Sequence, residues 1–115
     1  MNLSPILNQG IYVYVTVNDI PAGCDYLCMF REQECITLIM SEQEALSLEF
    51  KVFFRAAWIT ISLNTGLDET GITAVISTAL YNADISCNIV AAAHHDHLFV
   101  PYERGEEACR IIEML

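Results

Sequence analysis

Residues 58–100 read WITISLNTGLDETGITAVISTALYNADISCNIVAAAHHDHLFV, and the changes of period along that run decide the fold. Ile59, Ile61 and Leu63 alternate with Trp58, Thr60 and Ser62, the two-residue repeat of a half-buried strand. Residues 64–71 break the repeat with Gly66, Asp68, Thr70 and Gly71, which predicts a loop. Ile72, Val75, Ile76, Ala79, Leu80 and Ala83 then recur at steps of three and one, so all six share one helix face. Residues 86–93 return to a strand, His94 to His97 make a polar turn, and residues 98–100 are the second arm of a hairpin ended by Pro101.

Beyond that run, Ala108, Ile111, Ile112 and Leu115 form a second helical stripe. Glu103, Glu106 and Glu107 precede it or sit in its first turn, where the helix dipole favours anions. Towards the N-terminus, Ile11, Val13, Val15 and Val17 alternate with Tyr12, Tyr14 and Thr16 as a further strand. The turn residues Asn18, Asp19, Pro21 and Gly23 follow, then short apolar runs at 26–30 and 36–40, so a three-stranded meander is predicted. Ser41 and Glu44 have capping-box spacing and open a short helix carrying Ala45, Leu46 and Leu48. Residues 49–57 show no clear period and read as a connection. The expected organisation is an N-terminal lobe of three strands and a short helix over residues 1–50 and a β-α-β-β-α lobe over 51–115. The second lobe is one strand short of a ferredoxin-like β-α-β-β-α-β unit, and the missing edge would come from the first.

At 115 residues the chain can hold two half-size lobes around little more than one core. Hydrophobic residues make up 54% and charged ones 17%, more apolar surface than a small monomer hides, so a homodimer or higher homo-oligomer is expected. Fifteen acidic against five basic residues give a net charge of −10 with no basic cluster, which argues against nucleic acid and anionic membranes as partners. No apolar run approaches the roughly 20 residues that span a bilayer. The first ten residues lack the basic start and apolar stretch of a secretory signal, so a cytoplasmic location is expected. Cys24, Cys28, Cys35, Cys87 and Cys109 are odd in number and scattered through strand and helix positions, which reads as free thiols acting as small hydrophobes.

The segments WITISL (58–63), GITA (71–74), ADISCNIV (83–90) and HDHLFVP (95–101), with YVYVTV (12–17), FRE (30–32) and CITLIM (35–40), carry a resemblance over nearly the whole chain. The chain resembles the small bacterial ACT-domain-containing proteins of unassigned function. Its second lobe is similar, more distantly, to the ACT repeats of aspartokinases and of cytosolic arginine sensors, in which Thr-Gly-Ile-like loops lead into the first helix and bind an amino acid. The resemblance implies an α+β, ferredoxin-like ACT sandwich of two ACT-like lobes, an antiparallel sheet covered by helices. It also implies association sheet to sheet or helix to helix, with effector sites near a subunit or lobe junction, and a regulatory rather than an enzymatic role. Two features depart from the family: His94 stands where relatives often carry an aromatic residue, and Cys24 and Cys28 lie outside the pattern.

Three places could carry a ligand. At Gly71, Ile72 and Thr73 a loop meets a helix start, where free amides and a hydroxyl can hold a carboxylate; equally, Gly71 relieves a tight turn and Thr70 caps the helix. In the run His94, His95, Asp96, His97 only His95 and His97 converge along an extended chain, and no further Cys or His stands at metal-motif spacing. The turn therefore reads as hydrogen-bonded structure or a polar ligand-facing surface ahead of a metal site. Asn88 is polar in an apolar strand and would bond either a ligand or the loop before the first long helix. The sequence has no phosphate loop, nucleophile elbow or H-E-x-x-H, and Cys24 and Cys28 have the wrong spacing for a redox pair, so no catalytic residue, metal or cofactor is expected. The alternatives to an amino-acid-binding regulatory domain are a ligand-free structural or interaction module and, more distantly, a metal-dependent enzyme built on the His94–His97 turn.

Overall fold

The computed structural model describes residues 2–62 and 71–115. In chain order its elements are β1 (Pro5–Leu7), β2 (Tyr12–Val17), β3 (Cys28–Arg31), β4 (Ile36–Ser41), α1 (Glu42–Ser47), β5 (Val52–Ile61), α2 (Ile72–Asn82), β6 (Asn88–Ala91), β7 (Asp96–Pro101) and α3 (Gly105–Glu113), the last entered through a 3-10 turn at Tyr102–Arg104. The chain divides into two compact units, Gly10–Ala56 and Met1–Gln9 together with Ala57–Leu115. The first nine residues go with the second unit because β1 pairs with the far half of β5, Pro5 opposite Ile61 and Leu7 opposite Ile59.

In Gly10–Ala56 the strands lie in the order β3-β4-β2-β5, each pair antiparallel. Val13 and Val15 of β2 and Ile36, Leu38 and Met40 of β4 turn the same way and close a core with Ala45 of α1. This is not the predicted meander: β2 pairs with β4, and residues 18–27 carry the chain past it to β3 on the far side. Ser41 Oγ accepts from the Glu44 amide at 3.2 Å, as the capping spacing requires. The Glu44 carboxylate does not return to the cap and accepts instead from the Asp25 amide at 3.1 Å.

Residues 49–57, expected to be a connection, instead contain the first half of the ten-residue strand β5. The alternation is hidden by an irregularity in the β2–β5 ladder: Tyr14 faces Phe54 and Val15 faces Val52, leaving Phe53 unpaired as a bulge. That extra residue changes the parity, so Val52 packs into the core although Phe54 and Ala56 do not join it.

The other unit runs β1-β5-β7-β6. Ala57, Ile59 and Ile61 of β5 and Leu98 and Val100 of β7 pack against Ile76 and Leu80 of α2 and Ala108 and Ile112 of α3. Of the two predicted helical stripes, Ile72, Ile76, Leu80 and Ala83 of the first and Ala108, Ile111, Ile112 and Leu115 of the second pack in this core, while Val75 and Ala79 line an open depression beside α2; Leu63 and the loop expected before Gly71, Thr70 included, lie outside the described residues. The missing ferredoxin-like edge is supplied from the N-terminal segment, by β1. With β2 counted first in Gly10–Ala56, and β5 counted first and β1 fourth in the other unit, each has the ferredoxin-like order 4-1-3-2, with residues 18–27 replacing the first helix in Gly10–Ala56. The fold class is α+β.

Gly105 marks the closest packing of α3 onto this sheet: a Cβ there would stand 2.7 Å from the Ala57 Cβ and 3.3 Å from Leu7 Cδ1. Alanine improves helix propensity by up to about 1 kcal/mol, but overpacking costs about 1–3 kcal/mol, so the clash should win. Gly105→Ala is expected to lower stability in urea unfolding by about 1 kcal/mol or more, with a favourable coupling to Ala57→Gly in a double-mutant cycle. A neutral or stabilising Gly105→Ala would contradict this packing.

Candidate functional site

Strand alternation sends Leu98 and Val100 into the helix-covered core and turns His97 and Phe99 to the opposite face, beside Trp58 and Thr60 of β5. There Trp58 Nε1 donates to His97 Nδ1 at 3.0 Å, and Thr60 Oγ1 lies 3.3 Å from the same nitrogen. Asn8, just after β1, donates from Nδ2 to Thr60 Oγ1 at 2.9 Å and to the Trp58 carbonyl at 3.2 Å. The Phe99 ring lies nearly parallel to Trp58, at 13° and 6.4 Å, and His95 meets His97 edge-on at 6.2 Å.

The Trp58 contact fixes the chemistry of His97. An indole N–H can only donate, so Nδ1 of His97 must present its lone pair and the ring proton sits on Nε2. Neutral imidazole has one such lone pair, and while this bond stands none is left for a metal. Among the described residues no three His, Cys, Asp or Glu side chains converge on a point where an ion could sit. Burial, and secondly the neighbouring His95, hold the His97 pKa below the ordinary histidine value, against an opposing pull from Asp96.

The other half of the candidate site is the start of α2. Its far end is fixed by Arg104, which follows β7 and donates to the Ala83 carbonyl at 3.2 Å and the Asp84 carbonyl at 3.3 Å while its Nε holds Glu107 at 2.7 Å. The C-terminus of α2 thus lies where β7 ends. Eleven residues of helix rise about 16 Å, so the N-terminus of α2 stands about that far from the Arg104 contact. Gly71 stands at the N-cap with φ 103°, a conformation that side-chain-bearing residues rarely adopt, and supplies no side-chain cap of its own.

Among the sequence-predicted residues, Gly71, Ile72 and Thr73 form that helix start, His95 lies in the turn, and Asp96 opens β7 opposite Ala91. The structure brings the His95 and His97 rings together, with His97 opposite Val90. It sets Asn88 apart. Read as neighbouring the histidine turn, Asn88 instead begins β6 opposite Phe99, at the far end of the ladder, because β6 runs towards the turn and not away from it. Reading the sequence missed Trp58, Thr60, Asn8 and Phe99. The outward positions of the residue 58–63 alternation named the first two, whereas Asn8 depends on a pairing of β1 that no local pattern announces.

Each unit carries an open depression. One, about 450 Å³, lies beside α2 and is lined by Ala74, Val75, Thr78, Ala79, Asn82 and Leu115; the other, about 300 Å³, is lined by Asp25, Ser41, Gln43, Glu44 and Ser47. All five cysteines are free. Burial pushes the Cys87 thiol up to about 11, and burial also raises Cys24 and Cys109, so these three are protonated at neutral pH and poor nucleophiles.

Two protein-family models, each described as an ACT domain, match residues 1–57 and 54–113. A solved Vibrio cholerae protein of unknown function, described as a possible transport protein, is similar at 30% identity and a TM-score of 0.91, over 97% of this chain and 88% of that one. The regulatory subunit of aspartate kinase from Thermus flavus shares the fold at 10% identity and a TM-score of 0.64, over 99% of this chain and 96% of that one. Escherichia coli aspartokinase III, in complex with aspartate and ADP, shares it at 11% identity and 0.68, over 96% of this chain and 32% of that one. No curated protein matches the sequence.

Proposed function

The chain belongs to the ACT-domain family, and from that premise we propose that it is a regulatory protein that binds a small zwitterion, an amino acid first of all, and acts as a homo-oligomer in the cytoplasm. The observation that carries this reading is the extent of the fold. The two tandem units correspond nearly end to end to a regulatory subunit of aspartate kinase, while the match to a whole aspartokinase takes in about a third of it.

The effector site proposed is the rim where α2 begins. The amides of Ile72 and Thr73 beyond Gly71 would take the carboxylate, with the Thr73 hydroxyl as a further donor. Asp96, which the β7 alternation turns to the helix-covered side with Leu98 and Val100, would supply the charge that an ammonium group requires, whereas His97, with His95 against it, faces the opposite side of the sheet and takes no part. Asn88 takes no part in this rim. A screen of the amino acids by thermal unfolding tests the reading: one at a hundred times its dissociation constant stabilises by about 2.7 kcal/mol, which raises Tm by on the order of 10 °C. Thr73→Val should weaken that ligand by about 0.5–1.5 kcal/mol if one neutral hydrogen bond is lost. No shift with any amino acid at millimolar concentration would leave the ligand-free interaction module as the better reading.

Assembly is proposed to use α2. No charged residue occurs from 72 to 83 in a chain of net charge −10, and Tyr81 projects from this helix 80% exposed beside the open depression. Two copies carrying the same charge approach best through such a face. Light scattering should give a dimer or larger species that Thr78→Glu splits without altering the circular dichroism. A monomer mass across micromolar concentrations would remove the oligomer from this account.

A further inference from the structure

We propose that Trp58 and His97 form a proton-operated latch that joins the outward side chains of β5 to those of β7. Neutral His97 accepts the indole N–H at Nδ1, 3.0 Å away. When a proton from solvent adds to that nitrogen, the imidazolium carries N–H groups at both positions, and two donors then face each other across the contact. The bond is lost, and the Trp58 ring, which also lies against Phe99, is freed to move. Thr60 follows, since its hydroxyl shares the Nδ1 position and is tied in turn to Asn8.

The groups around His97 set the direction. On its own strand are His95, which opposes a second positive charge, and Asp96, which favours it; Trp58 and Thr60 face it from β5 and Val90 from β6, and none of these three titrates near neutral pH. Burial adds to the side of the neutral ring. The folded state therefore prefers neutral His97 more than the unfolded chain does. Its contribution to stability is complete above the ordinary histidine value and is lost as pH falls through the lowered one. The latch depends on β5 and β7 alone and stands whether or not an effector binds the rim beside α2.

Trp58 is the only tryptophan, so its emission reads the latch directly. Between pH 8 and 5 the unmodified protein should show one reversible fluorescence step with its midpoint below about 6.5. His97→Gln, whose amide oxygen accepts from the indole without titrating, should abolish the step. His95→Gln should keep it and move its midpoint upward. Nitrogen NMR of the unmodified protein at pH 8 should find the His97 proton on Nε2, a measurement that decides the matter even if the variants do not fold. A flat profile in the unmodified protein, an unchanged step in His97→Gln, or a proton on Nδ1 would each overturn the latch.

Discussion

Everything in this molecule hangs on β5. The ten residues from Val52 to Ile61 serve both compact units, Val52–Ala56 as the fourth strand of one and Ala57–Ile61 as the first strand of the other. A chain of this length affords two four-stranded layers because this strand is used twice, and β1 then supplies the edge that the second unit lacks. The outward side chains of its second half, Trp58 and Thr60, are also the ones that organise the histidines of β7. Fold and candidate site thus share a cause: the same alternation that buries Ile59 and Ile61 must present Trp58 and Thr60 on the opposite face.

What could be read in the sequence follows from how local the responsible interactions are. The stripes of α2 and α3 and the Ser41 cap are set within one or two turns of chain, and the structure keeps them. The first half of β5 was illegible because the Phe53 bulge shifts the alternation by one position, so Val52 and Ala57 both face a core while residues between them do not keep step. β1 is three residues long and owes its existence to a partner more than fifty positions away. The strand order of Gly10–Ala56 was misjudged for a related reason: a meander is the default for successive short strands, and β2 pairs with β4 instead.

The candidate site divides along the same line. Gly71 at a loop-helix junction and the paired histidines His95 and His97 could be found from spacing, but what His97 does is decided by Trp58, thirty-nine positions away. A donor with no acceptor character assigns the tautomer, and through it narrows the chemistry of the turn from metal coordination to hydrogen bonding. The net charge of −10 and the absence of charged residues from 72 to 83 set α2 apart from the rest of the chain as a face where like-charged copies would repel least.

Native-state amide hydrogen exchange along β5 tests the central claim most directly, because a strand used by two units must be continuous where they join. The account predicts that the amides of Ala56, Ala57 and Trp58 are protected to the same degree as those of Ile59 and Ile61, and far more than residues 18–27. Exchange at Ala56 to Trp58 as fast as in that loop would mean that the units are joined by a hinge and not by a shared strand, and would contradict the architecture on which the site depends.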